Sequence, residues 1–370
     1  MQKLCLVAFN SKVGMELILD CYSLEMQKYF DTFLISDNSY TPSNKNTKIY
    51  RLSRRGNQIQ MALDFLNPLV TFQLIGLLIA EKPHLVYIIS AHPLNTVIVL
   101  CSKIVSYFMG CKIIIISHIH DVQPHFKTRG SFFINFFQTL QVRFSDKITV
   151  YGDHLRKKAQ HHFKISSENI FSYIHGANRS TSSRTYNLST ISHNSTKQIS
   201  LVGRIDYYKG IDIFLNVAKT LQMTDKYHWL IAGSGDLSPY LHDIESIPNL
   251  TIINRFLSND EIDEILLKSY LLVLPYKEAS QSGVTPVAYY NSCPVIVHDV
   301  GGLSEIVETG RTGIVVSPHD VSELTSAIKF LCDNPSLREE MARNCHIYYQ
   351  EKLSWDKILF DVSCYLKSLN

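Results

Sequence analysis

Short runs of uninterrupted apolar residues alternate with stretches of helical period along most of this chain. Leu4–Phe9 is the first run; a polar loop with Gly14 follows, then a helical pattern from Met15. Leu85–Ile89, Lys112–Ile116, Lys147–Val150 and Ile170–Ile174 repeat the run, and Thr96–Met109 has helical period and stops at Gly110. Continuous apolar strands spaced by helices predict a parallel sheet covered on both faces. Between Asn178 and Lys197 the pattern lapses into Ser, Thr and Asn, the composition of a linker. It then resumes. Strands are expected at Gln198–Val202, Trp229–Ala232, Leu250–Ile253, Leu271–Leu274, Pro294–His298 and Gly313–Val316. Helices are expected at Ile211–Leu221, Asp260–Ser269 and Val287–Asn291. The expected organisation is α/β with two parallel-sheet domains: 1–178, a linker over 179–197, and 198–350. A closing helix over 351–370 is expected to pack back on the first domain. The longest apolar stretch, Ala62–Ala80, is broken by Asp64, Asn67, Pro68 and Gln73; it predicts a buried helix rather than a membrane span.

Composition narrows the class. The chain has 370 residues, 45% hydrophobic and 19% charged, which suits two ordinary globular domains. A net charge of +3 gives no reason to expect nucleic acid as a partner. The eight cysteines form no Cys-x-x-Cys pair and lie mostly in apolar segments. They read as reduced thiols of a cytoplasmic protein, not as a disulfide framework or zinc site. The N-terminus MQKLCLVAF runs straight into the first strand, so no signal peptide is expected.

Candidate chemistry gathers in loops that follow strands. Gly203-Arg204-Ile-Asp-Tyr-Tyr-Lys209-Gly210 lies between a strand and a helix, and its two cations can face one anion there. A basic turn in solvent is the plainer account. Lys277-Glu278-Ala-Ser280-Gln281-Ser282-Gly283-Val284 also follows a strand; its backbone N–H groups could hold phosphate or sugar oxygens. Glu278 could accept sugar hydroxyls. His298-Asp-Val-Gly-Gly-Leu-Ser-Glu305 is a third glycine-bearing turn, in which Ser304 or Asp299 could simply cap. In the first half, Ser117-His-Ile-His120-Asp121-Val-Gln-Pro-His125 follows a strand. A metal-hydrolase reading needs further ligands at later strand ends, and the sequence offers none.

Together these segments resemble the donor domain of the retaining GT-B glycosyltransferases of glycosyltransferase family 4. The shared elements are Gly203-Arg204…Lys209-Gly210, Ala232-Gly233-Ser-Gly235, and Pro294-Val-Ile296…Gly301-Gly302-Leu-Ser-Glu305 followed by Thr312-Gly313. The resemblance covers about Gln198–Pro318. It implies two Rossmann-like domains facing across a cleft. It also implies donor contacts from Gly14, Gly203, Gly233, Ser280, Gln281, Ser282, Gly283, Val284 and Glu305, with Arg204, Lys209 and Glu278 at the reacting diphosphate. The family's second glutamate is missing: the position falls on Pro286 or Val287. Transferases of O-antigen, capsule and exopolysaccharide synthesis resemble this Ser-Gln-Ser-Gly variant. His120-Asp121…Pro124-His125 resembles their His-Asp-x-x-Pro-His element, which implies His120 as a contact to sugar hydroxyls and Asp121 as the group that holds the loop or orients the ring.

The implied activity is retaining transfer from a UDP- or GDP-linked sugar to a glycan or polyprenyl-diphosphate-linked acceptor. No Asp-x-Asp triplet occurs, so no metal cofactor is expected. A nucleotide-sugar epimerase and a non-catalytic GT-B subunit are the rivals. Residues 126–147 mix Lys127, Arg129, Arg143 and Lys147 with Phe132, Phe133, Phe136 and Phe137. Core packing explains the phenylalanines most simply; a helix on the inner face of the cytoplasmic membrane is the alternative.

Overall fold

The structure, a computed structural model, describes residues 1–9, 15–37, 40–44, 46–53, 67–122, 131–177, 197–221 and 226–369, without the side chains of 131–134. Two compact units emerge: Met1–Tyr173 with Trp355–Asn370, and Ile174–Ser354. The expected linker lies outside the described residues except for Lys197, which opens a strand; Gly14, Pro124, His125, Lys127 and Arg129 lie outside them too.

The first unit is built on a seven-stranded parallel sheet of order β3-β2-β1-β4-β5-β6-β7. Its strands are β1 Lys3–Ala8, β2 Asp31–Asp37, β3 Lys48–Ser53, β4 Leu85–Ile88, β5 Ile114–Ile119, β6 Lys147–Tyr151 and β7 Ile170–Tyr173. Alternate side chains of one strand serve two cores. Leu4 and Leu6 face helix α1, Met15–Met26; Cys5 and Val7 face α2, Pro68–Glu81, and α3, Leu94–Met109. The helix Trp355–Ser368 completes the first of these cores with Trp355, Ile358, Leu359, Val362 and Leu366.

Helix α2 starts where local chemistry dictates. The Asn67 side chain accepts from the Leu69 N–H, and Pro68 sits in the first turn, where its missing donor costs nothing. The expectation of a buried helix holds for one face only. Val70, Leu74 and Leu78 are buried, while Leu69, Phe72 and Ile79 are exposed.

The second unit has a six-stranded parallel sheet of order β10-β9-β8-β11-β12-β13. The strands are β8 Lys197–Val202, β9 Tyr227–Gly233, β10 Leu250–Asn254, β11 Leu271–Leu274, β12 Val295–His298 and β13 Gly313–Val316. After β8 the chain turns one way to β9 and β10; from β11 it proceeds the other way. The crevice at the carboxyl ends of β8 and β11 is therefore the switch point at which open α/β sheets bind ligands. The loops of interest, after β8, β11 and β12, flank it.

Candidate active site

In the second unit the loops stack backbone on backbone because glycine allows it. Gly233 has φ 149°, and a Cβ there would lie 1.8 Å from the Gly203 carbonyl oxygen. Gly301 has φ 57°, and a Cβ there would lie 1.7 Å from the Ala279 carbonyl oxygen. Side chains at either place would push the loops apart. The loops after β8 and β11 are also joined directly: the Lys277 N–H donates to the Tyr208 carbonyl at 2.7 Å.

The two cations of the first loop share one aromatic wall. Arg204 is exposed, and its Nη2 donates to the Tyr208 hydroxyl at 3.0 Å. Lys209 is partly buried, with Nζ 3.7 Å from the ring centroid of Tyr276 and 4.9 Å from that of Tyr208. Removal from water, with the Arg204 charge adding to it, pushes the Lys209 ammonium down to a pKa of about 8. The site thus brings together two positive charges, one of them poorly hydrated and held on ring faces.

The loop after β11 exposes Glu278 and buries Ser280 and Ser282; Gln281 and Val284 are partly buried, and Gly283 is exposed. The helix after it begins at Val284, three residues earlier than expected. Among the described residues the buried hydroxyl of Thr285 has no hydrogen-bond partner, and that of Ser282 faces the Tyr276 hydroxyl. Glu305 is exposed on a short turn, Ser304–Ile306, where Ser304 donates to Asp299 at 2.7 Å.

Two residues gained significance only from the structure. Lys277 pairs with Asp212 at 2.8 Å and lies 3.6 Å from the Tyr207 ring centroid. In sequence it is one more lysine beside a glutamate. His298 donates Nδ1–H to the Tyr276 carbonyl at 3.1 Å, which leaves its buried Nε2 without a partner among the described residues. Its position as the last residue of an apolar strand was the available signal.

In the first unit β5 runs on to Ile119, past the expected end at Ile116. His118 and His120 therefore lie two apart at the end of a strand, on one face. Their rings meet edge to face with centroids 4.5 Å apart. His118 is buried, with Nδ1 3.0 Å from both the Thr149 and Tyr173 hydroxyls. Tyr87 extends that cluster to the same two hydroxyls.

His120 sits at the mouth. Its Nε2–H donates to the Ile89 carbonyl at 2.8 Å, which fixes the tautomer and turns Nδ1 into the acceptor. Desolvation lowers its pKa, so the ring is held neutral. Orientation of the ring thus comes from a backbone carbonyl. Asp121 is exposed, and its own carbonyl accepts from Gln138 at 2.8 Å, which ties this loop to helix α4, Ser131–Phe144. A cavity of about 220 Å³ opens beside His120, lined among others by Ser90, His92, Asp121, Phe137 and Gln138. Phe137 thus belongs to this cavity, while Phe136 is exposed; the side chains of Phe132 and Phe133 lie outside the described residues. Among the described residues no three His, Cys, Asp or Glu side chains are grouped to hold a metal ion.

The comparisons with known proteins fall on this geometry. Residues 196–334 match the family described as "Glycosyl transferases group 1". They are a glycosyl transferases group 1 domain. That group 1 domain carries Arg204, Lys209, Glu278 and the glycine-locked loops. The alpha-D-kanosaminyltransferase of Streptomyces kanamyceticus is 32% identical over 147 residues, 39% of this chain and 38% of that protein. The D-rhamnosyltransferase WbpZ of Pseudomonas aeruginosa is 33% identical over 156 residues, 40% of each. The chain thus spans about two fifths of the length of these relatives. For the fold, the structure of Anabaena Alr3699/HepE in complex with UDP covers 100% of both chains at a TM-score of 0.70 and 14% identity. Two Rossmann-like α/β units with parallel sheets, the second holding the group 1 domain, make the fold class GT-B.

Proposed function

We propose that the chain is a retaining, metal-independent glycosyltransferase. It moves a sugar from a UDP- or GDP-linked donor to a glycan or lipid-linked saccharide in the synthesis of a bacterial surface polysaccharide such as O-antigen or capsule. One observation carries the reading: Arg204 and Lys209 stand on one turn at the switch point of a group 1 domain. The relatives named above for kanosaminyl and rhamnosyl transfer, and the neighbour bound to UDP, support it.

The chemistry needs little covalent help from the protein. As the sugar–phosphate bond breaks, negative charge grows on the departing nucleoside diphosphate. Arg204 and Lys209 stabilise that charge, and exclusion of water from Lys209 strengthens the effect. The acceptor hydroxyl attacks from the side the phosphate leaves, and a phosphate oxygen takes its proton. The sugar is held in place for this step. His120, neutral with Nδ1 open, accepts a hydrogen bond from a sugar hydroxyl. The buried hydroxyls of Ser282 and Thr285 and the exposed carboxylate of Glu278 are assigned to the donor as well. Gly203, Gly233 and Gly283 allow the backbone close to it.

The test is incubation of the pure protein with a panel of nucleotide sugars and a lipid-linked acceptor extract, with and without EDTA. A new acceptor-linked sugar, formed in EDTA and with the donor's anomeric configuration, is expected. An isomerised donor without acceptor points to an epimerase, and donor binding without turnover to a non-catalytic subunit. Full activity in both Arg204→Ala and Lys209→Ala ends the proposal.

A further inference from the structure

Two neighbouring helices of the first unit carry apolar side chains on the side their own core does not use. Helices α2 and α3 pack together over one face of the sheet and share a core. Away from that core α2 exposes Leu69, Phe72 and Ile79, and α3 exposes Leu100, Ile104, Tyr107 and Phe108. Phe72, Tyr107 and Phe108 are 72%, 83% and 80% exposed. Scattered single residues of this kind are ordinary, but seven on two touching helices form a patch.

The charges of these helices and their ends that are neither buried nor offset have one sign. Glu81 is the sole carboxylate in either helix, and it is buried against Lys3 at 3.2 Å and Lys48 at 2.6 Å. Lys103 is offset by Asp146 at 2.5 Å. Lys82, at the end of α2, and Lys112, just past the end of α3, are exposed and form no ion pair among the described residues. The strands that follow them pair Leu85 with Ile114, so both lysines arrive at the amino end of the sheet, the end at which α2 and α3 finish. A second copy of this chain would bring lysine against lysine with no accessible carboxylate on either helix to meet it. An anionic surface matches the patch instead. At 14 and 16 residues the helices are too short to span a bilayer, but they can lie on one.

We infer that this face docks on an anionic lipid surface, with α2 and α3 seating their apolar side chains among the headgroups and Lys82 and Lys112 meeting lipid phosphates. The docking surface is then α2 and α3, not the segment 126–147, whose Phe137 lines the cavity beside His120. The inference does not depend on the transferase reading.

Co-sedimentation of the full chain with vesicles tests it, using equal phosphatidylglycerol and phosphatidylcholine against phosphatidylcholine alone. The chain is expected to bind the anionic vesicles, and less at high salt. The pair Phe72→Gln and Phe108→Gln should weaken that binding at least about tenfold. The pair Lys82→Gln and Lys112→Gln should weaken it about 25-fold, roughly fivefold for each lysine, and leave phosphatidylcholine unaffected. All four positions are exposed, so melting temperatures should be unchanged. No binding to anionic vesicles, or binding by both double variants equal to that of the unaltered chain, overturns the inference. So does a dimer in sedimentation velocity that Phe72→Gln and Phe108→Gln abolish, which would assign the face to a second copy.

Discussion

The carboxyl edges of the two sheets use one architecture for opposite electrostatics. At the second sheet the loops hold Arg204 and Lys209 as cations over tyrosine rings. At the first sheet the strand end holds His120 as a neutral ring, tied to a backbone carbonyl. Burial acts on both in the same direction, lowering the pKa of each. The difference lies in the starting value. A lysine brought down to about 8 is still mostly charged at neutral pH, whereas a histidine brought down is uncharged. A parallel sheet supplies the position, and the residue type decides which charge state the position keeps.

The largest expected effect breaks the cationic side. Arg204→Ala and Lys209→Ala should each lower kcat/KM by about 10²–10³ in a donor-saturation assay, the loss typical of a removed charge-stabilising donor. His120→Ala should cost less, about tenfold, the loss expected for the one hydrogen bond proposed between it and the sugar.

Next come the glycines. Gly233→Ala and Gly301→Ala should each lower the melting temperature by roughly 10 °C, about 2–4 kcal/mol, because the backbone they would strike cannot yield cheaply. Gly110 is the control: it too has positive φ, yet nothing lies within 4 Å of a Cβ there. Gly110→Ala should cost only about 1 kcal/mol, and equal losses in all three would show that strain, not loop contact, is at work.

The pH profile sharpens the comparison. Deprotonation of Lys209 should end the activity plateau on the alkaline side near pH 8, read as kcat/KM of the free enzyme. The acid limb should lie below the usual imidazole range, because His120 resists protonation. An acid limb at about 6.5 or above would contradict the burial of His120.

The smallest effect concerns stability. The charged form of Lys209 is disfavoured in the fold, so the unfolded chain binds more protons between about pH 8 and the ordinary lysine range. Its destabilising contribution is full below pH 8 and fades as pH rises through that window. Lys209→Met should therefore raise the melting temperature by a few degrees at pH 7, on the order of 1 kcal/mol, while abolishing transfer.

Much of this was legible in the chain. Continuous apolar runs marked β8, β11 and β13 almost to the residue, because buried parallel strands carry little else. β2 and β3 escaped: Asp31–Asp37 has polar ends, and Lys48–Ser53, at the sheet edge, alternates. The turn of Arg204 and Lys209 was readable because glycines bracket it. The tautomer of His120 was not, since its partner, the Ile89 carbonyl, is 31 residues away and belongs to the backbone. Nor was the extension of β5. Histidines in Ser-His-Ile-His look like a loop until Thr149 and Tyr173, from two neighbouring strands, supply the polar partners that let His118 be buried.

The return of Trp355–Ser368 to the first unit has a consequence for how the protein is made. Synthesis delivers residues 1–173 first, yet one of their two cores stays open until Trp355, Leu359 and Val362 emerge. The second unit, contiguous from 174 to 354, needs nothing that comes later. On the ribosome the unit translated second closes first, and the unit translated first waits for residues 355–368.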